Sequence, residues 1–436
     1  MNRQWTWMGM CGALVLAGLS ACGGASAPED ATEPLAALSQ EHREQSSPPE
    51  PKWVRNILAT SASETVALRH DPRGNVVVLV TDIGGPIDFG AGPISPPASA
   101  SSSRIAGLAR YAPDGHLLWG IVLAGESTPE LPAAGAFGAA LAVDSKGNIL
   151  LSLNVGGRLV LEGVTMTTGE YLLKLGPDGH ALWAIRLPTR ARKVAVDGND
   201  CIAITGSLEG ATGFDFGEGP ITGADFHAFV AKYSSRGKLK WVFVDDVMAR
   251  PASLTADEHG NFYFGGFRFP EVPIDAGTPY LRKVSCSGEG EWSHALEGAT
   301  GTVSDLAARD NRVVAVGFFL GSFEFKGRTF TVEPPELADG FVLAFTGSGH
   351  ERWGQKPVGL IASVDIDHRG GVLVAGSAGA FPDPPLFIAR YRLDNGREDW
   401  SRIFNEFRRG VDSSVNKKGE LAVTGNGPLY VIQFGR

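Results

Sequence analysis

The spacing of tryptophan constrains this chain more than any other feature. Seven of its nine tryptophans, Trp53, Trp119, Trp183, Trp241, Trp292, Trp353 and Trp400, recur at intervals of roughly fifty to sixty residues. Self-similarity at such a period marks an architecture of repeated units that bury apolar faces on their neighbours. Six of the seven follow a glycine by four residues, in turns such as Ala112-Pro113-Asp114-Gly115 and Gly176-Pro177-Asp178-Gly179. Pro and Asp preset such a turn, and Gly supplies the positive φ that side-chain-bearing residues resist. Glycine, 57 of 436 residues, is nearly twice its usual share of about 7%, so tight turns are dense.

Apolar strands precede these turns, among them Phe229-Val230-Ala231-Lys232-Tyr233 and Phe341-Val342-Leu343-Ala344-Phe345. Earlier in each unit lies a second hairpin, marked by Asp71/Gly74, Asp144/Gly147, Asp257/Gly260, Asp367/Gly370 and the variant Asn416/Gly419, with shortened versions at Asp197 and Asp310. The runs after it, such as Val76 to Val80 and Val313 to Gly317, are apolar on both faces. A strand that does not alternate is covered on both sides. Each unit therefore reads strand, tight turn, strand, long loop, strand, tight turn, Trp-bearing strand.

Four antiparallel strands per unit, stacked radially, predict an all-β, seven-bladed β-propeller over residues 51–436. Trp53 begins this region in Lys52-Trp53-Val54-Arg55-Asn56-Ile57-Leu58 with no strands before it. After Trp400 only three strands follow: Val411 to Val415, Leu421 to Gly425, and Leu429 to Phe434. The N-terminal strand is expected to close this last blade, removing a sheet edge. The seven tryptophans are read as blade packing; a core Trp→Ala costs about 3 to 5 kcal/mol.

The unit from Gly223-Ala224-Asp225-Phe226-His227-Ala228-Phe229-Val230-Ala231-Lys232 to Trp241 resembles the bacterial SBBP-type β-propeller repeat. Its core is kept in Ala338-Asp339-Gly340-Phe341-Val342, degraded around Gly169-Glu170-Tyr171 and absent near Pro384-Pro385-Leu386. The resemblance implies the fold and an exported location. Leu393-Asp394-Asn395-Gly396-Arg397-Glu398-Asp399-Trp400 also resembles the docking turn of quinoprotein-type propellers, which include a lipoprotein of the outer-membrane β-barrel assembly machinery.

Residues 1–21 read as an export signal: a charged start and an apolar run too short to span a bilayer. Leu19-Ser20-Ala21-Cys22 resembles the bacterial lipobox, which implies lipidation of Cys22 and anchoring in the cell envelope. Gly23 after the cysteine points to the outer membrane. Residues 22–50 are polar and proline-bearing, the composition of a disordered tether. Beyond the signal and Cys22, only Cys201 and Cys286 remain, and the sequence leaves their pairing open.

A formal net charge of −9 opposes the positive field that nucleic acids require. No Gly-x-Ser-x-Gly elbow, His-Glu-x-x-His, phosphate loop or zinc spacing occurs, so no catalytic residue, metal or cofactor is assigned. The long loops are expected at Asp82 to Arg104, Val155 to Glu170, Glu209 to Asp225, Arg268 to Pro279 and Leu320 to Asp339, crowded on one face, and several repeat an acid next to Phe, at Asp88-Phe89, Asp215-Phe216 and Glu324-Phe325. One reading is a short extra strand with Phe packed inward; the other makes Asp88, Asp215 and Glu324 ligand-binding carboxylates on the loop face. The function expected is a monomeric, non-enzymatic binding or scaffold module for protein or glycan. The alternatives are a quinoprotein-like lipoprotein of outer-membrane assembly and a propeller enzyme.

Overall fold

β-branched runs bounded by Asp-x-x-Gly turns become antiparallel strands, and no α-helix occurs among the described residues. The computed structural model describes residues 48–435, except 60–62, 101–103, 132–133, 210–212, 225, 270–276, 334–337, 380–383 and 427. Cys22, the signal and most of the tether lie outside these residues.

Sheet A orders Glu64–His70, Val76–Ile83, Arg104–Tyr111 and Leu117–Leu123. Sheet B follows with Gly135–Val143, Ile149–Leu161, Val164–Leu175 and Ala181–Leu187. Sheet C holds Lys193–Val196, Ile202–Ser207, His227–Tyr233 and the first part of Leu239–Ala256. The rest of that 18-residue strand begins sheet D, continued by Phe262–Arg268, Thr278–Val284 and Gly290–Ala295. Sheet E comprises Ala299–Arg309, Arg312–Phe325, Asp339–Thr346 and Glu351–Gln355, with Arg328–Thr331 pairing at its margin. Sheet F contains Leu360–Ile366, Gly371–Ser377, Pro385–Arg392 and Glu398–Arg408. Sheet G takes Gly410–Val415, Leu421–Gly425 and Leu429–Phe434, and Pro51–Ile57 is its fourth strand, with Trp53 opposite Gln433 and Ile57 opposite Leu429.

Each pair of consecutive sheets has its own apolar cluster. Leu79 and Leu108 of sheet A pack with Leu151 and Leu173 of sheet B; Trp53, Leu429 and Val431 of sheet G pack with Val76, Val78 and Tyr111 of sheet A. The second strands bury a continuous run of residues, Val76–Val80 and Gly371–Ser377 among them, because a neighbouring sheet covers either face.

Three features differ from the sequence reading. The Asp197 hairpin is not shortened: Asp200 takes the place of glycine at φ 58° and donates its N–H to the Asp197 carbonyl at 2.9 Å. Only Asp310-Asn311 contracts to two residues, both at positive φ. The expected loop Val155–Glu170 is mostly strand, because Val155, Leu159 and Met166 bury alternate side chains along a hairpin that turns at Glu162-Gly163. The expected loop Leu320–Asp339 likewise begins as strand, Arg312–Phe325 running on to pair with Arg328–Thr331.

Candidate functional site

The first strand of every sheet runs from the end carrying the long loops to the end carrying the tight turns. In sheet A, Glu64 lies beside Thr81 and Ile83 beside Arg104, so the long loop departs where the first strand begins. The loop face is thereby held on a packed frame, the usual arrangement for binding loops.

Indole hydrogen bonds tie that frame together. The Nε1–H of Trp53 donates to the Pro113 carbonyl (3.0 Å), Trp119 to Pro177 (3.1 Å), Trp241 to Cys286 (3.1 Å), Trp292 to Gly347 (3.1 Å) and Trp353 to Leu393 (2.8 Å), each in the turn of the next sheet. Trp183 is half-buried against Ile185 and Gly237, and Trp400 is buried in the cluster joining sheets F and G. Four of the turn glycines, Gly115, Gly288, Gly349 and Gly396, have a second constraint, since a Cβ would press on the indole of the preceding sheet; on Gly115 (φ 85°) it would meet the Trp53 ring at 2.7 Å.

Inside the sheets, turn aspartates accept from their own turns and pair with the basic residue of the third strand. Asp144 pairs with Lys174 (2.8 Å), Asp197 with Lys232 (3.0 Å), Asp367 with Arg390 (3.1 Å) and Asp71 with Arg110. The repeat lysine thus balances a buried carboxylate. Cys201 and Cys286 are free thiols, and Lys240 Nζ lies 3.1 Å from Cys201 Sγ.

The acid-Phe loops form three separate hairpins. Asp88 Oδ1 accepts the N–H groups of Gly90 (2.7 Å) and Gly92 (3.0 Å), and Asp215 Oδ1 accepts those of Gly217 (2.7 Å) and Gly219 (3.0 Å). Glu324 accepts from the Thr329 hydroxyl across its hairpin. The neighbouring phenylalanines pack inward: Phe89 over Gly107 and Gly120, Phe216 against Phe229, Phe325 beside Gly354. Asp88 and Asp215 lie on two-stranded hairpins inserted into the long loops of sheets A and C, and Glu324 on the hairpin at the margin of sheet E.

A cavity of about 230 Å³ is lined by Arg69, Val143, Val194, Thr255, Asp305, Asp365 and Ser413, one from the first strand of each sheet. Its carboxylates Asp305 and Asp365, and Asp412 next to the lining Ser413, were not singled out in sequence. Asp305 accepts the Val364 N–H (3.0 Å), Asp365 the Val415 N–H (2.7 Å) and Asp412 the Leu68 N–H (2.8 Å), so each acid holds an amide of the next sheet. The signal for them was an aspartate inside an otherwise apolar first strand, as in Val364-Asp365-Ile366. Burial pushes the Asp305 carboxyl up to about 6, Asp412 adding and Arg69 and Lys193 opposing. Arg69 itself donates to Asp412 Oδ2 at 2.6 Å.

Nearer the loop ends, a second cavity of about 390 Å³ is lined by Glu64, Phe137, Arg190, Arg192, Lys193, Arg250 and Phe267, with Val66, Ala139, Pro251 and Ala252 between them. Arg104 and Arg190 lie 5.2 and 4.7 Å from the centre of the Phe137 ring, and Arg250 lies 6.0 Å from that of Phe267. Desolvation, then Arg192, holds the Arg190 guanidinium below its ordinary value, with Arg104 contributing and Glu170 and Glu209 opposing.

Known proteins share this architecture. The WD40 domain of Pan2 from Neurospora crassa superposes with a TM-score of 0.52 at 11% identity, covering 88% of this chain and 96% of that one. The WD40 β-propeller domain of Doa1 gives 0.50 at 10% identity, covering 88% and 97%. The fold is a β-propeller. A streptogramin B lyase is matched at 12% identity and a TM-score of 0.47, covering 88% of this chain and 98% of the lyase. In sequence, an uncharacterized WD repeat-containing protein of Acanthamoeba polyphaga mimivirus is 26% identical over 196 residues, 39% of this chain and 14% of the relative's own length. No protein-family model matches the chain.

Proposed function

We propose that this chain is a non-enzymatic binding and scaffold module, a seven-bladed β-propeller exported to the cell envelope and anchored through a lipid on Cys22. It presents its loop face to a protein partner as a monomer. The observation that carries this reading is the pair of axial cavities, to which first strands of successive sheets contribute polar and charged side chains on a rigid frame. Contributions from Arg69, Val143, Val194, Thr255, Asp305, Asp365 and Ser413 support a count of seven. The antiparallel pairing of Pro51–Ile57 with Leu429–Phe434 supports closure by the N-terminal strand. WD40 domains among the structural relatives favour a protein as partner.

Cross-linking in intact cells, followed by affinity recovery and mass spectrometry, tests the reading. A reproducible partner set that vanishes on unfolding of the propeller is expected; its absence from the full-length chain would refute a binding role. Charge reversal at Asp88, Asp215 and Glu324 asks whether those carboxylates touch the partner: unchanged recovery removes them from the interface. Radiolabelled palmitate should enter the chain and be lost in Cys22→Ala. Incorporation that survives the substitution would exclude Cys22 as the anchor.

A further inference from the structure

The second cavity carries a charge opposite to that of the molecule. Four cations, Arg190, Arg192, Lys193 and Arg250, line it against one carboxylate, Glu64, in a chain of net charge −9. Of the four, Arg192 has an ion pair, with Glu209 at 2.9 Å. Arg190, Lys193 and Arg250 have no carboxylate within pairing distance among the described residues. Cation–ring contacts fix where Arg104, Arg190 and Arg250 sit while leaving guanidinium N–H donors unused. Repulsion within such a cluster is relieved when an anion binds between the cations.

We infer that this cavity is a binding site for an acidic peptide segment of the partner, whose carboxylates pair with Arg190, Arg192, Lys193 and Arg250. The inference rests on the binding-module reading and names the chemistry of its ligand. The volume, 390 Å³, falls in the range of about 300–1,000 Å³ typical of ligand pockets. Arg190, Arg192 and Lys193 come from one short stretch leading into sheet C, and Arg250 from the strand that opens sheet D, so the cations flank the cavity from two sheets. Apolar Val66, Ala139 and Pro251 line the same cavity, which suits a chain bearing both backbone and carboxylates. The Arg104 and Arg190 guanidiniums already lie over the Phe137 ring, where a stacking sugar would have to compete with them.

The test is fluorescence anisotropy with the purified full chain and fluorescein-labelled hexaglutamate. Hexaglutamate should bind, and hexaglutamine should bind at least about tenfold more weakly, as expected when charge-assisted hydrogen bonds are lost. Arg190→Gln/Arg250→Gln should weaken hexaglutamate by about tenfold or more, whereas Arg73→Gln/Arg236→Gln on the turn face should not. Equal binding of the two peptides, or equal losses in the two variants, would overturn the site. Displacement of the peptide by phosphate or by oligogalacturonate at matched charge would overturn the peptide as ligand. If Arg190→Gln/Arg250→Gln melts early, salt decides: affinity of the unmodified chain must fall between roughly 50 and 500 mM NaCl, and constancy rejects the site. Cross-linking in cells separates the two readings. Partner recovery undiminished in Arg190→Gln/Arg250→Gln rejects this site and keeps the module; no partner for the unmodified chain rejects the module even if hexaglutamate binds.

Discussion

At the scale of the residue, burial decides how much each tryptophan contributes. Trp353 is 7% exposed and its indole N–H donates to Leu393. Trp353→Ala is expected to cost about 3 to 5 kcal/mol in denaturant unfolding, and the half-buried Trp183→Ala about half that; equal losses would show that burial does not govern them. Asp305 sets a pH dependence. Its folded pKa is raised from 3.8 to about 6, so between these values the folded chain holds a proton that the unfolded chain has lost. Stability therefore falls as pH rises through this window, and the penalty persists above it. Asp305→Asn keeps an oxygen for the Val364 amide and removes the charge. Its melting temperature should rise at neutral pH and its profile flatten between pH 4 and 6; an unaltered profile would exclude Asp305 as the titrating group. The tryptophans and turn glycines were legible because both are rare or conformationally special. Asp305, Asp365 and Asp412 were not, because their acceptor role exists only when another sheet supplies the amide.

The element most at risk in such a fold is the first strand of each sheet, whose outward amides face the axis without a ladder partner. Aspartates answer this for the first strands of sheets F, G and A, each amide donating to an acid of the preceding sheet. The register shifts beside Asp305 and Asp412, as bulges do where a side chain is re-aimed. Asp412→Ala should speed amide exchange at Leu68 while leaving Val364 protected; unchanged exchange at Leu68 would mean the contact carries no protection. Elements were read from sequence with unequal success. The hairpins at Asp71, Asp144, Asp257 and Asp367 stand where their Asp-x-x-Gly strings are. The strand continuing through Val155 and Leu159 was read as loop, because Asn154-Val155-Gly156-Gly157 mimics turn chemistry while Leu159 and Met166 find their burial only in a cluster with Leu79, Leu108 and Leu123, far back along the chain.

For the whole molecule, the junction between chain ends is the decisive interface. Trp53 and Leu429 share a cluster with Val76 and Tyr111, the Thr65 N–H donates to Asn426 Oδ1 at 2.8 Å, and Lys52 pairs with Glu420. Removing residues 48–57 would leave Leu429–Phe434 as an open edge. Chromatography should then show self-association and a lower melting temperature; a stable monomer would refute a structural role for the first strand. The sequence by itself determined the repeat, its turns and the covered strands, since these depend on local φ preferences and on burial patterns written in neighbouring residues. Only the tertiary structure decided which indole meets which carbonyl, which aspartate holds which amide, and that Arg250 joins the run of Arg190, Arg192 and Lys193 beside one cavity. Those juxtapositions join residues tens to hundreds of positions apart, and nothing in a local string encodes the distance between side chains that sheet packing alone brings together.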